Sequence, residues 1–441
     1  MLRAACIVIW LASPSIGQDF YTLKGHGGPI MDIAVSPLGE ISTASFDNAV
    51  GFWRTDGPVW LEGHRAAVNT VCFLNNKIIA SGADDFTLWV WSLESANGRM
   101  VAAHTAKIAD VAIAPDGQTL ATASWDNKIG LTHIEGLDGS VESWLVDDMI
   151  LLSGHRAGVN AIAFTQDGRT LYSASMDGTI RSWNLNDPKA PSTVIVKHGF
   201  GVNRLIVNDA DGWLAYGAAD GGTRMVDLNT GETIADFTLG RRPVLSMAYD
   251  PVTKMLAIGD GQGYIMFIDT TVRRITTDFK ASLTGPIWAL SYSPDGEYIH
   301  AGGIEDIVYS WPVAVMDKHI PMVGGIQSFL EDPISLPNGE RQFKRKCSIC
   351  HSLTKSSARK AGPSLYGLFG RKAGTVVDYT YSDTLSGSSI VWSEESVNAL
   401  FDLGPDHFIP GTKMPMQRIV KKHDRDDLID YLRTNTVQEE N

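Results

Sequence analysis

Cysteine is scarce in this chain: four in 441 residues, at Cys6, Cys72, Cys347 and Cys350. One close pair and two isolated thiols exclude a disulfide-built fold. A surplus of positive charge is also missing. Against 50 Asp and Glu stand 37 Lys and Arg, a formal net charge of -13, which argues against a general nucleic-acid binder. Long hydrophobic runs are absent too. The apolar stretch from Ala4 to Ala12 has nine residues, under half of the roughly 20 that a membrane-crossing helix needs, and no other segment comes nearer. What remains is an ordinary globular balance, 44% hydrophobic and 20% charged, with length for two or three domains.

The first residues, MLRAACIVIWLASPSIGQ, place Arg3 before the short apolar run, then Pro14, then small residues at Ser15 and Gly17. This is the order of an export signal, with cleavage expected near Gly17 and a periplasmic location. A buried first helix is the bland alternative. Residues 1–17 are therefore assigned to the signal, and Cys6 is lost with it. Cys72, inside the strand-like run VNTVCFL, reads as a core thiol.

Self-similarity fills residues 18–313. GHGGPIMDIAV begins at Gly25, GHRAAVNTVCF at Gly63 and GHRAGVNAIAF at Gly154, with weaker copies near Ala103, Lys197, Leu239 and Ser282. Each copy carries an acidic or amide residue in register: Asp47, Asp85, Asp126, Asp177, Asp220, Gln262 and Glu305. The period is about forty residues, that of a four-stranded propeller blade. Trp53, Trp91, Trp183 and Trp311 each follow their acidic residue by six. Seven copies resemble the WD-repeat family, which implies a seven-bladed propeller. The resemblance also implies that His26, His64, His104, His155 and His198, 21 or 22 residues before their Asp, form a polar network inside each blade. Those histidines are scaffold rather than metal ligands, because the period puts them in different blades. Gly240 and Leu283 replace the histidine in the last two copies, so those blades should be held more by packing than by the polar network. FYTL, residues 20 to 23, should supply the outer strand that the last blade lacks and so remove an open sheet edge. The insertion GLDGSVESWLVDD, residues 136–148, reads as a tolerated surface loop, with a contact loop as the alternative.

After Trp311 the repeat stops. Residues 314–337 form a mixed linker, and a helical pattern begins near Gly339, opening a domain at 338–437. KCSICHSL places Cys347, Cys350 and His351 within five positions. A redox dithiol needs a strand leading into its helix, whereas the charged run NGERQFKRK precedes this one; a zinc site needs a second ligand pair, and none exists. C-x-x-C-H is complete for covalent haem: two thiols add to the vinyl groups and the imidazole ligates iron. Met414, in FIPGTKMPM, is the candidate opposite ligand; Met416, His407 and His423 are the alternatives.

With GPSLYGLFGRKAG, YTYSD, IVW, PGTKM and DLIDYL in the same order, residues 339 to 436 resemble the class I cytochromes c of mitochondrial type and their bacterial relatives. The resemblance implies one haem c and an all-α domain. It implies that the Pro363 carbonyl accepts from His351 Nδ1, that Tyr381, Trp392 and Arg371 hold the propionates, and that Gly339 and Phe343 cross Leu428 and Tyr431. Leu385 and Phe401 depart from the usual pattern and should make the pocket less polar.

Residues 341 to 372 hold nine basic residues and no acidic one. A basic rim beside the haem ligands would steer an acidic redox partner protein. The expected function is single-electron transfer, with the propeller docking a protein partner by analogy with its fold. The alternatives are an oxidoreductase whose propeller holds a substrate or second cofactor, and a redox or gas sensor.

Overall fold

The computed structural model describes residues 20–240, 243–318, 336–355, 360–414 and 417–436, without the side chains of residues 317, 318 and 383. The expected signal, most of the linker and Met416 lie outside the described residues.

Seven antiparallel sheets follow one another along the chain. Residues 30–62, 68–103, 108–153, 159–197, 202–236 and 244–280 make blades one to six, and blade seven joins residues 287–312 to the strand Tyr21–Lys24. The first strand of each blade touches the first strands on both sides, all the way round. In every blade the pairing of first and second strands slips after the first residue, as between Ile30 and Asp32 or Val202 and Arg204. Such bulges strengthen local twist and re-aim side chains. Here they accompany bonds from one blade to the next: Asp32 accepts from Val71 N at 2.9 Å, Asp110 from Ile162 N at 2.9 Å, and Ser246 donates to Ile287 O at 2.9 Å. The ring is thus held by polar stitching near its axis as well as by apolar contact between blades.

The ring closes as the sequence implied. Tyr21 to Lys24 pair with Ser310 to Ile307, and Phe20 packs on Tyr309 and Trp311 at 6.2 and 5.9 Å between ring centres. Within blade one His26 joins Asp47 at 2.9 Å and Thr43 at 2.7 Å, and Trp53 Nε1 donates to Thr43 at 2.9 Å. Blades two and four repeat this with His64, Asp85, Ser81 and Trp91, and with His155, Asp177, Ser173 and Trp183. Buried donors and acceptors satisfy one another, which is why the motif survives in a core.

One expectation is filled out and one changes. Blade seven is not held by packing alone: Glu305 accepts from Thr284 Oγ1 at 2.9 Å and from the Tyr309 hydroxyl. The longer acidic side chain reaches partners that an Asp would miss. The 136–148 insertion is more than a surface loop. Its Val141 and Trp144, 7% and 2% exposed, join the core between blades two and three, and Arg99 donates to the Trp144 carbonyl at 2.8 Å.

The C-terminal domain has five helices among the described residues: α1 (Asn338–Lys346), α2 (Asp383–Ser386), α3 (Glu394–Leu403), α4 (Pro405–Phe408) and α5 (Lys422–Asn435). It is helical but sparsely so. No helix forms from 360 to 382, where Gly367, Gly370 and Gly374 all take positive φ and favour turns over helix. Helix α1 crosses α5 so closely that a Cβ on Gly339 would lie 2.1 Å from the Asp427 carbonyl oxygen. Phe343 meets Tyr431 at 5.5 Å between ring centres, and Leu428 is fully buried beside them.

Candidate functional site

Helix α1 runs straight into the site. Past Lys346 the backbone makes one more turn, with Cys347 N donating to Phe343 O at 2.8 Å and His351 N to Cys347 O at 2.8 Å. Residues three and four apart on such a turn share a face. The spacing of Cys347, Cys350 and His351 therefore turns two sulfurs and an imidazole toward one space. Both thiols are buried, at 3% and 8% exposure, and burial pushes Cys347 up to about 12 and Cys350 to about 11. They stay protonated at neutral pH.

His351 is oriented from behind. Its Nδ1 donates to the Pro363 carbonyl at 2.7 Å, which fixes the tautomer and leaves Nε2 as the basic nitrogen. Burial lowers its pKa, with the Pro363 bond opposing. Gly362 is required here for space: a Cβ would stand 2.4 Å from the imidazole.

All eight residues singled out in the sequence line one cleft: Cys347, Cys350, His351 and Pro363 on one stretch, with Arg371, Tyr381, Trp392 and Met414 from later loops. The space, open at its mouth, has a cavity volume of about 180 Å³. Leu385 and Phe401 also line it, together with Leu365, Leu368, Val397 and Leu400, so its walls are mainly apolar. Arg371 has committed two N–H groups, to Tyr366 O at 2.6 Å and Ser364 O at 2.8 Å. Tyr381 OH accepts from Val376 N at 3.4 Å. Met414 is half-buried against the domain core, and its N–H donates to Thr412 Oγ1 at 3.2 Å. The side chains of His407 and His423 are 69% exposed and pair with Asp406 and Asp424, so neither lies at the cleft.

Two buried polar atoms in the cleft wall were not foreseen. Ser382 Oγ and Gln417 Oε1 have no hydrogen-bond partner among the described residues. Unpartnered buried polar atoms are uncommon in folded proteins. Ser382 sits inside the YTYSD stretch, so the motif held that signal. Phe46, Asn48, Ala66, Ala67 and Asp84 of the propeller line the cleft as well, and nothing in the repeat period pointed to them. An apolar slot with an oriented imidazole, two protonated thiols, a thioether and two unpaired hydrogen-bonding groups is a good fit for haem c.

The comparisons with known proteins agree on both parts. A family model described as WD domain, G-beta repeat matches residues 17–54, 59–92, 98–131, 148–184 and 273–311; blade five and most of blade six lie between the matched stretches. The cytochrome c family model matches 336–436. Cytochrome c of Ginkgo biloba is 41% identical over 113 residues, 25% of this chain and 99% of the relative. That of Gossypium barbadense is 45% identical over 101 residues, covering 22% and 88%. The Theileria parva protein is 42% identical over 108 residues, covering 23% and 92%. With nearly the whole of those relatives matched at that identity, the chain belongs, through its C-terminal domain, to the cytochrome c family, and carries a ring of WD repeats ahead of it.

Proposed function

We propose that this protein is an exported bacterial electron carrier of the class I type, holding one covalent haem c, with the propeller as its protein-docking module. The observation that carries the reading is the gathering of Cys347, Cys350, His351 and Met414 on one mainly apolar cleft. Bound there, haem c supplies reversible one-electron exchange between ferric and ferrous iron. Cys347 and Cys350 would hold it as thioethers. His351 Nε2 and the Met414 thioether would serve as its iron ligands, and a thioether favours the ferrous state. Ser382, Tyr381, Trp392 and Arg371 would receive the propionates, and the leucine and phenylalanine walls would exclude water. In the propeller the His–Asp pairs are spent on blade structure, which favours docking over catalysis there. Periplasmic location follows from the N-terminal signal pattern.

Production in a host with c-type maturation should yield one haem per chain that stays with protein after acid acetone, and a low-spin spectrum with the methionine–iron band. Extractable haem, or a Met414→Ala variant that keeps the band, overturns the assignment. Cell fractionation tests the location.

A further inference from the structure

The cleft is not open to solvent on every side. Its wall includes Phe46 and Asn48 of blade one and Ala66, Ala67 and Asp84 of blade two. Asn48 Nδ2 reaches the Ala361 carbonyl at 3.5 Å, one residue from the glycine that packs on His351. The same repeat position shows what this contact covers. Phe46 directly precedes the blade-one aspartate and is half-buried. Its equivalents in blades three and four, Trp125 and Met176, are 43% and 48% exposed. Charge favours the arrangement, with Asp84 in the wall facing a cleft that Lys346 and Lys413 also line. Lys360 Nζ donates to the Ser348 and Ile349 carbonyls at 3.1 and 3.4 Å, and the charge of Asp306 in blade seven acts on it from a longer range. Acidic ring meets basic rim.

We propose that the edge of the propeller at blades one, two and seven is a built-in docking partner for the mouth of this cleft, so that an outside redox protein gains access only when the seat opens. The inference rests on the haem reading of the cleft, and it assigns the occupant of the basic rim to the chain itself.

The full chain and an Ala66→Arg, Asp306→Lys variant provide the test. Both changes put positive charge, and Ala66→Arg also bulk, against the basic rim. The oxidant is tris(phenanthroline)cobalt(III), a cation that takes one electron from ferrous iron. Added positive charge alone should slow this oxidant, whereas opening the seat should speed it by roughly threefold or more, since simple charge effects on encounter run the other way. A slower or unchanged rate in the variant overturns the proposal. A second readout is independent of electron transfer: peptides across residues 360–365, which carry the Asn48–Ala361 contact, should exchange their amide hydrogens slowly in the wild-type chain, and Ala66→Arg alone should speed that exchange severalfold. Exchange indifferent to Ala66→Arg overturns the seat. Loss of covalent haem in acid acetone, with the protection present, would overturn the haem reading instead.

Discussion

The propeller and the haem-type domain encode their structures in opposite ways. In the ring the same polar set recurs, and a lost member is replaced nearby: in blade five the Tyr216 hydroxyl takes the place of the Ser or Thr beside the histidine, and blade seven substitutes Thr284, Glu305 and Tyr309 for the usual network. In the C-terminal domain each group occurs once. Cys347, Cys350, His351 and Gly362 have no second copy to share the load. Repetition makes a fold tolerant, because each blade needs only its neighbours. A single site depends on each of its members.

The sharpest break of that comparison is Cys347→Ala with Cys350→Ala. Covalent haem should disappear entirely, while the ring, followed by far-ultraviolet circular dichroism and a melt, should stay folded. Loss of both together would mean that the ring depends on the site. Next comes removal of residues 18–24. Blade seven then loses its outer strand, and the melting temperature should fall by on the order of 10 °C, as for the loss of several packed contacts in one cooperative unit. An unchanged melt would show that the strand does not hold the ring shut. Met414→Ala should lower the reduction potential on the order of 0.2 V, within the roughly 0.8 V that axial ligands span, and should leave the propeller melt alone. A potential that stays put under voltammetry would assign the ligand elsewhere.

Smaller effects separate one blade from the ring. Asp85→Asn should cost about 1–3 kcal/mol, because the carboxylate accepts from His64, Thr87 and the Arg65 N–H. Chemical denaturation measures it, and equal stability would show the network to be dispensable. The pH dependence follows from the same bonds. Burial penalises the Asp85 and Asp177 carboxylates, yet their hydrogen bonds outweigh it and hold each down at about 2. With folded values below the unfolded one near 3.9, their contribution is full above that value and is lost as pH falls through about 2. The melting temperature should drop between about pH 4 and pH 2, less steeply in an Asp85→Asn, Asp177→Asn variant. Identical slopes would place the acid sensitivity in other groups.

Much of this is legible in the sequence. The period located the ring, FYTL identified its closing strand, and C-x-x-C-H with GPSL and PGTKM located the cleft, because those patterns act through local spacing. Features that depend on reach or on which surfaces meet were not legible. The Glu305 network needed a side chain one methylene longer than Asp to find Tyr309. Trp144 looked like part of a loop until its burial between blades two and three was visible. The expectation of a helical C-terminal domain holds, and the glycines at 367, 370 and 374 account for its having few helices. That Phe46 borders the cleft while Trp125 faces solvent cannot be read from a repeat in which both positions are equivalent.

The pairing of Tyr21–Lys24 with Ile307–Pro312 joins segments nearly three hundred residues apart. During synthesis the first strand emerges long before its partner exists. Every intermediate therefore carries an unpaired edge, a template for wrong partners. Joining such distant segments is entropically costly and slow. Completion of the ring is thus a late, all-or-none event, timed by the arrival of the last blade. A chain interrupted anywhere before residue 307 lacks the strand that would complete it, and this should mark truncated products for proteolysis or aggregation.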